Sequence, residues 1–341
     1  MAVTIRDVAK AAGVSASTVS RALSVPEIVD AATRERVTRV ADHLGYHPNR
    51  AARGLSTGRT GNIGLILPDL ANPFFPSVVK GIQQQAHQAD YQVFVADTDE
   101  VASAELGVVR ALAKQVDGLV LCSPRMKPSE LREAAGYGPL VLVNRKAGLI
   151  PAVAMDNADG MRQIVTHLGD LGHRRVGFVA GPRSSWSNRE RLTGLRSAAL
   201  GTGVELVEVG NFAPSFDGGR DAADGVVISG VTAVVAYNDL VALGLLNALR
   251  LRGVEVPGQV SIVGIDDIPM SSMVQPGLTT LAIPKEQAGR DAIDLLLQLL
   301  AAPSAPPPAV VQMPTTLLVR DTTAPAPHHP APPPGRSAAR R

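Results

Sequence analysis

The sequence predicts an α/β protein in which a small all-helical head precedes a doubly wound core. Two observations carry this prediction. Residues 1–45 have the pattern of short helices with tight turns, whereas residues 62–319 alternate between apolar strand-like runs and amphipathic helical stretches. Apolar residues are 45% of the chain but aromatic residues only 3%, and cores of Ala, Val and Leu suit α/β layers better than an aromatic-rich β sandwich.

The first two helices of the head form a tight pair. Thr4 followed by Asp7 is a capping pair for the first helix. Ala9 is small where a second helix must cross closely, and Gly13 can supply the positive φ of a tight turn. Ser15 then caps the second helix. This order of cap, small residue and turn glycine predicts a helix-turn-helix.

The second and third helices give the head its outer and inner faces. Val19 and Leu23 form the inner face of the second helix. Its outer face carries Ala16, Ser17, Ser20 and Arg21. A third amphipathic helix over residues 31–44, with Asp30 at its start and Gly45 at its end, supports the pair. A polar second helix of this kind suits the major groove of DNA, and a small helical bundle without a DNA role is the alternative.

A polar, basic segment over residues 47–60 follows the head. It contains glycine and proline, which indicates a linker. Residues 1–60 hold nine Lys and Arg against five Asp and Glu. A basic head on an acidic body indicates a polyanionic partner for the head.

The core over residues 61–320 contains apolar runs separated by amphipathic helices. The predicted strands lie at residues 62–67, 91–96, 118–121, 139–143, 176–180, 233–236 and 261–265. The predicted helices include residues 75–89, 159–171, 189–200 and 240–252. This alternation predicts parallel sheets with helices on both faces. Roughly ten such units exceed one comfortable sheet, so we expect two similar lobes with a cleft between them.

Several features limit the class of protein. Cys122 is the only cysteine, which rules out an intrachain disulfide and a thiolate metal cluster. The first ten residues carry Arg6 and Lys10 and do not form a signal peptide, and no stretch approaches a membrane span. We therefore expect a cytoplasmic, nucleoid-associated protein without metal or cofactor. Residues 321–341, rich in Pro and Ala, are predicted to be disordered.

A series of motifs gives the sequence a specific family resemblance. In the head these are TIRDVA at 4–9, AGVS at 12–15, TVSRAL at 18–23, TRERV at 33–37, LGYHPNR at 44–50 and ARGLSTG at 52–58. In the body they are IGLI at 63–66, NPFF at 72–75, GHRR at 172–175, ND at 238–239 and GIDD at 264–267. In this order the motifs resemble the LacI/GalR (lactose-repressor) family over residues 3–320. The resemblance implies a two-lobed, periplasmic-binding-protein-like core and a transcriptional repressor that a small molecule controls.

The resemblance assigns DNA contacts to the head. Ala16 and Ser17 occupy the two positions that select the operator, and Arg21 lies one turn further along, where it can reach a guanine edge. Phosphate-positioning donors are expected at Thr4, Ser15, Ser20, Thr33 and Asn49. Ser15 and Thr33 have a second interpretation as ordinary caps.

The linker has its own implied role. Residues 49–56 are too short and glycine-containing for a stable isolated helix. In the family this hinge folds when two subunits sit on DNA, and a leucine from each wedges into the minor groove. Leu55 matches that leucine, Ala52 lines the same contact and Arg53 contacts phosphate. A flexible tether is the alternative.

For the body, the resemblance implies that a small molecule, above all a sugar, binds between the lobes. The matched positions are Phe74 or Phe75, Asp156, Arg191, Phe212, Asn238 and Asp266, with Trp186 as a second aromatic platform. A planar arginine, carboxylates and an amide around an aromatic face suit a polyhydroxylated ligand. Arg189 competes for the role of Arg191, and a structural ion pair between Arg191 and Asp266 is the alternative. Lys285 departs from the apolar residue often present where the chain returns to the first lobe.

Other classes fit less well. An exported binding protein for transport would need a signal sequence and no helix-turn-helix. A sugar-converting enzyme could draw acids and bases from Asp156, Asp266, Asp267 and His173. The sequence, however, has no Walker loop, Gly-x-Gly-x-x-Gly, HExxH or nucleophile elbow, so we expect no enzymatic activity. A transcriptional activator is the third alternative, and promoter position decides it.

The oligomeric state follows from the same features. A palindromic operator in double-stranded DNA and a paired hinge require a homodimer. Family tetramers use a leucine-heptad C-terminal helix, and the prolines at 303, 306, 307 and 308 do not provide one. We expect a dimer and no tetramer.

Overall fold

The computed structural model describes residues 3–24, 26–46, 59–302 and 310–327. The chain divides into two compact units with the boundary between Gly61 and Asn62, close to the predicted start of the core. The predicted hinge contacts Asn49, Ala52, Arg53 and Leu55 lie outside the described residues, so they stay predictions.

Three helices form the N-terminal unit. They are α1 (Ile5–Ala12), α2 (Ala16–Ser24) and α3 (Ala31–Leu44), with a 3-10 turn at Pro26–Ile28. Val8, Val19 and Val37, one from each helix, are fully buried at the centre of this unit. The turn between α1 and α2 requires Gly13, because its φ of 68° lies in the left-handed region that a Cβ disfavours. The predicted helix-turn-helix is confirmed.

The predicted N-terminal caps of α1 and α2 are present. Thr4 donates its backbone N–H and its hydroxyl to the Asp7 carboxylate at 2.9 and 2.7 Å. The Thr18 N–H donates to the Ser15 hydroxyl at 3.1 Å. These bonds satisfy donors that the first turn of a helix would otherwise leave without a partner.

The second unit contains twelve strands and ten helices in its described residues. The first stretch comprises β1 (Asn62–Leu67), α4 (Phe74–Gln88), β2 (Gln92–Asp97), α5 (Ala102–Leu112), β3 (Gly118–Cys122), α6 (Pro128–Ala135), β4 (Leu140–Val143) and β5 (Ala152–Met155). The second comprises α7 (Asn157–Asp170), β6 (Arg175–Ala180), α8 (Trp186–Ala199), β7 (Glu205–Asn211), α9 (Phe216–Asp221), α10 (Ala223–Ser229), β8 (Ala233–Ala236), α11 (Asp239–Leu251), β9 (Ser261–Asp266), α12 (Met270–Met273) and β10 (Thr279–Ala282). The last comprises α13 (Lys285–Ala301), β11 (Val310–Met313) and β12 (Thr316–Leu318).

These elements build two six-stranded sheets. The first has the order β11-β5-β4-β3-β1-β2 and is parallel throughout. The second has the order β12-β10-β9-β8-β6-β7 and is parallel except where β12 pairs with β10. The chain passes between the sheets after β5, after β10 and between β11 and β12. The predicted pair of similar lobes is confirmed.

Close packing of α13 on α4 fixes the returning chain to the first lobe. A Cβ on Gly81 of α4 would lie 2.0 Å from the carbonyl oxygen of Glu286. A Cβ on Gly289 of α13 would lie 2.4 Å from the carbonyl oxygen of Val78. The two helices therefore touch backbone to backbone, and only glycine fits at both positions.

The prediction that the chain is disordered from residue 321 onward is wrong for residues 321–327. The Thr322 side chain is fully buried, donates to the carbonyl of Ile262 at 2.7 Å and accepts the Thr279 N–H at 2.8 Å. The carbonyl of Ala324 lies 3.0 Å from Nε2 of the buried His173. Composition misled here because hydrogen bonds, and not apolar area, fix this segment to the second lobe. Residues 328–341 lie outside the described residues.

None of the helices in the described ranges is both long and apolar enough to cross a bilayer.

Candidate functional site

The outer face of α2 presents the predicted DNA-reading side chains to solvent. Ser17, Ser20 and Arg21 are exposed, and Val19 lies on the opposite, buried face. Ala16 differs from the expectation because it is half-buried and packs against the core of the head. Its methyl group therefore contributes to packing as well as to the reading surface.

Two predicted phosphate-positioning residues act as part of helix caps. The Ser15 hydroxyl lies 2.7 Å from the Ser17 hydroxyl and 2.8 Å from the Thr18 hydroxyl, in addition to the cap described above. The Thr33 N–H donates to the Asp30 carboxylate at 3.1 Å, which starts α3. A phosphate contact by Ser15 or Thr33 stays a prediction, as do those by the exposed Thr4 and Ser20.

A cleft lies between the two lobes at the carboxyl ends of their strands, the usual ligand position in such sheets. It is lined by Asn72, Phe74, Phe75, Ser123, Arg125, Asn144, Arg191, Pro214, Tyr237, Asn238 and Asp266. Space for the centre of a water molecule amounts to about 20 Å³. That is room for about one water, so the cleft is narrow in this conformation.

Arg191 and Asp266 form a buried charged pair on the second-lobe side of the cleft. A guanidinium nitrogen of Arg191 lies 3.6 Å from a carboxylate oxygen of Asp266, and both side chains are almost fully buried. The guanidinium also donates to the Tyr237 carbonyl and lies 5.0 Å from the centre of the Tyr237 ring. Its Nε has no hydrogen-bond partner within the described residues. The alternative of a structural ion pair thus describes part of the geometry, but it leaves a donor available to a ligand.

The surroundings of Asp266 favour its protonated form. The pKa of Asp266 is raised to about 7, chiefly by burial, with Arg191 and Lys285 lowering it and Asp239 adding to the rise. The backbone of Asp266 is strained, with a φ of 120°. The Lys285 ammonium donates to the Asp266 and Asp267 carbonyls. Lys285 therefore supports this turn from the start of α13.

Ser123, Arg125 and Asn144 form the polar wall on the first-lobe side. The Asn144 amide donates to the Ser123 hydroxyl at 2.9 Å, and its Oδ1 has no partner in the described part of the chain. Arg125 donates to the Glu100 carboxylate at 2.6 and 2.7 Å. Ser123 and Asn144 have positive φ values of 48° and 56°, which strain the backbone at this wall.

Five of the eight predicted effector residues meet in this cleft: Phe74, Phe75, Arg191, Asn238 and Asp266. Phe74 and Phe75 pack edge to face, 5.1 Å between ring centres, and are nearly fully buried. The Asn238 amide caps α11 by accepting the Val241 N–H at 2.9 Å and donates to the Pro214 carbonyl at 3.1 Å. Arg191, and not its competitor Arg189, lines the cleft.

The structure does not bring Asp156, Trp186 and Phe212 to the cleft. The Asp156 carboxylate caps α7 by accepting the Asp159 N–H at 3.0 Å. Phe212 is half-buried against the core of the second lobe. Trp186 lines a separate cavity.

Sequence reasoning missed five polar or aromatic residues of the cleft: Asn72, Ser123, Arg125, Asn144 and Tyr237. A usable signal was present for three of them. Ser123, Asn144 and Tyr237 each directly follow an apolar strand, namely β3, β4 and β8. Residues in that position gather at one edge of a parallel sheet.

A helix-turn-helix unit joined to a two-lobed ligand-binding core defines the class of small-molecule-responsive DNA-binding regulators. Residues 4–49 match the model of "Bacterial regulatory proteins, lacI family", and residues 165–323 match that of a "Periplasmic binding protein-like domain". The transcriptional repressor CytR of Escherichia coli K12 is 33% identical over 306 residues, which cover 87% of this chain and 89% of the relative.

Solved structures agree with this assignment. The lac repressor dimer bound to operator and the anti-inducer ONPF has a TM-score of 0.84 at 29% identity, covering 95% of this chain and all of that one. A complex of the transcriptional regulator CelR with cellobiose has a TM-score of 0.69 at 31% identity, covering 94% and 99%. The chain belongs to the lacI family of bacterial regulatory proteins, and it is a DNA-binding transcriptional regulator.

Proposed function

We propose that the protein is a homodimeric repressor whose affinity for a palindromic operator is set by a sugar bound in the cleft. The proposal that the cleft binds a ligand rests on two buried polar atoms, one from each lobe, in residues that line the cleft. Within the part of the chain that the structure describes, Asn144 Oδ1 on the first lobe is an acceptor without a partner, and Arg191 Nε on the second is a donor without one. Sugar hydroxyls donate and accept, so one ring can satisfy both atoms.

The charged pair suits the same ligand. The Asp266 carboxyl, at 3.6 Å from Arg191, is too far for a strong charge-assisted hydrogen bond, so a sugar hydroxyl beside the pair can bond to both groups. Solved relatives support this ligand class, since CelR was crystallised with cellobiose and another family regulator, from Enterococcus faecium, with ribose. Because the cleft has room for about one water, a sugar requires the lobes to separate before it enters.

Lobe movement supplies the regulatory coupling. A ligand that prefers one separation of the lobes shifts the population toward it, and the hinge pair changes with that separation. The exposed Ser17, Ser20 and Arg21 then read base edges, and Arg21 supplies the guanine contact. A regulator of this kind acts in the cytoplasm on nucleoid DNA.

Three of the four acids and bases of the alternative enzyme, Asp156, Asp267 and His173, are occupied by structural contacts, and the fourth, Asp266, lines the cleft. Asp267 forms an ion pair with Arg320 at 2.7 Å, and Asp156 caps a helix. His173 lies between the Thr232 hydroxyl, at 2.9 Å, and the C-terminal segment. These contacts support a binding protein without turnover. Activation of transcription, the remaining alternative, depends on where the operator lies relative to a promoter.

The test uses the purified protein and the palindromes found upstream of its own and neighbouring genes. Electrophoretic mobility shift with each palindrome, at fixed salt, should show a preference over random duplex, and one sugar of a panel should change the apparent Kd. Asp266→Asn should remove the response to the sugar while retaining operator binding. A protein that prefers no duplex, with or without sugars, would refute the proposal.

A further inference from the structure

A second, much wider cavity lies beside the cleft. The space open to the centre of a water molecule is about 960 Å³ in this cavity and about 20 Å³ in the cleft. Its first-lobe wall is α6 with the β4–β5 loop, residues 145–151. Its second-lobe wall is Trp186 and Arg189 in the first turn of α8. The cavity therefore touches both lobes, as the cleft does, but with different residues.

The charged side chains that line this cavity are all positive. Four cationic side chains line it: Arg132, Arg145, Lys146 and Arg189. Among the described residues no Asp or Glu lines it, and none lies within ion-pair distance of these four groups. Cations grouped in this way raise one another's free energy unless an anion joins them.

Arg145 is the cation of this cavity whose burial most favours a bound anion. Its side chain is only 2% exposed, it donates one hydrogen bond to the Pro124 carbonyl, and its Nε has no partner in the described chain. The pKa of Arg145 is lowered to about 10, chiefly by burial and then by the neighbouring Arg189, while Glu105 acts in the opposite direction. A buried cation with no carboxylate within ion-pair distance among the described residues is costly, and a ligand or partner can compensate it.

The remaining wall is apolar. Leu149 is 92% exposed, and Ile150, Leu299 and the half-buried Trp186 line the same space. A bare inorganic ion would leave this wall uncovered. An aromatic or aliphatic body would cover it and can stack on the indole ring.

We propose that this cavity binds a small organic anion, a phosphate or carboxylate group on an apolar or aromatic body. Arg145 and Arg189 bind the head group, with Lys146 and Arg132 at the rim, and Trp186 and Leu149 contact the body. A bound anion links α8 of the second lobe to the β4–β5 loop of the first. This site is separate from the cleft and does not depend on the sugar proposed there.

Trp186 supplies a direct readout because it is the only tryptophan of the chain. Phenyl phosphate and phenylacetate serve as the phosphate and carboxylate probes, and benzyl alcohol is the neutral control. At least one anionic probe should change the Trp186 fluorescence saturably, and calorimetry should give the matching Kd. Benzyl alcohol should give no saturable change. No saturable response to either anion would overturn the proposal, and inorganic phosphate binding as tightly as phenyl phosphate would overturn the role of the apolar wall.

Variants locate the site. Arg189→Gln and Lys146→Gln should each raise the Kd of the anionic probe, Arg189→Gln by roughly tenfold, as loss of a charge-assisted hydrogen bond implies. Arg183→Gln is the matched control, since Arg183 is an exposed arginine of the same segment outside the cavity lining. Equal Kd values for Arg189→Gln and Arg183→Gln would overturn the proposal. Asp266→Asn should leave the Kd of the anionic probe unchanged. If this variant no longer bound the probe, the anion would lie in the cleft, which would overturn this site but leave the regulator function intact.

Discussion

Arg189 and Arg191 lie two residues apart on α8, yet they belong to different cavities and to different electrostatic situations. Arg191 is buried in the narrow cleft with Asp266 at 3.6 Å and the Tyr237 ring beneath it. Arg189 is exposed in the wide cavity, held by the carbonyls of Arg183 and Ser184, with another arginine as its charged neighbour. The cleft thus contains a carboxyl group beside its arginine, whereas no Asp or Glu is among the residues that line the wide cavity.

The two cavities differ in how their own charges act on their walls when no ligand is bound. The cleft can close on its own charges, so its lobes meet with room for about one water. The wide cavity has no opposite charge among its lining residues to draw its walls together.

The largest effect is a pH dependence that Asp266 imposes. Its pKa of about 7 in the folded protein exceeds the value near 4 of an unfolded chain, so the folded state holds this proton more tightly. The contribution of Asp266 to the free energy of unfolding therefore falls as pH rises from 4 to 7, by up to roughly 4 kcal/mol. Asp266→Asn should remove that part of the slope, as urea unfolding at a series of pH values would show. An unchanged slope in the variant would contradict it.

The second prediction compares the two arginines directly. At pH 8, where Asp266 is ionised, Arg191→Leu should lower the free energy of unfolding by about 3 kcal/mol, because it leaves a buried carboxylate without its cation. Arg189→Leu, the matched control on the same helix, should change it by less than about 0.5 kcal/mol. Urea unfolding of both variants measures the difference. Equal losses would show that the two environments are alike.

The third prediction is an increase in the free energy of unfolding, whereas the second is a decrease. Arg145→Met keeps a similar shape and removes a buried cation that forms no ion pair within the described residues, so it should raise the free energy of unfolding by about 1 kcal/mol in the absence of organic anions. The same variant should weaken binding of phenyl phosphate. Thermal and urea unfolding without added phosphate check the first part, and destabilisation would show that Arg145 is already compensated.

The smallest effect concerns the apolar wall. Leu149→Ser should leave the free energy of unfolding within about 0.5 kcal/mol, because Leu149 is 92% exposed. The affinity for phenyl phosphate should nevertheless fall several-fold, while that for inorganic phosphate stays the same. Calorimetry with both probes measures the two affinities. Equal losses of affinity for phenyl phosphate and inorganic phosphate would show that the apolar wall does not contact the ligand.

Local chemistry allowed the head and much of the core to be predicted. The caps at Thr4, Ser15 and Asp30 and the turn at Gly13 depend on neighbours in sequence, so the residues themselves specify them. The strands β5, β7, β10, β11 and β12 were not predicted. Two of these, β11 and β12, contain four and three residues, and their pairing with distant strands decides their conformation.

The candidate site was predicted less completely than the fold. Asn238 and Asp266 could be placed because each stands in a recognisable motif, and Arg191 because the family resemblance matched its position. Asp156 and Phe212 could not be excluded from the cleft, because a capping carboxylate and a core aromatic look the same in sequence as ligand contacts. Their tertiary neighbours alone separate the two roles.

The order of a helix-turn-helix head and a two-lobed core could be predicted from the amino-acid sequence, because periodicity, caps and turn residues act over a few positions. Which side chains share a cavity could be read from the folded chain alone. That property depends on which strand ends and loops meet from the two lobes, as Asn144 and Asp266 do, and residues 122 positions apart carry no local mark of such a meeting. The same reason hid the cationic cavity, in which Arg145 and Arg189 come together only after the lobes have folded.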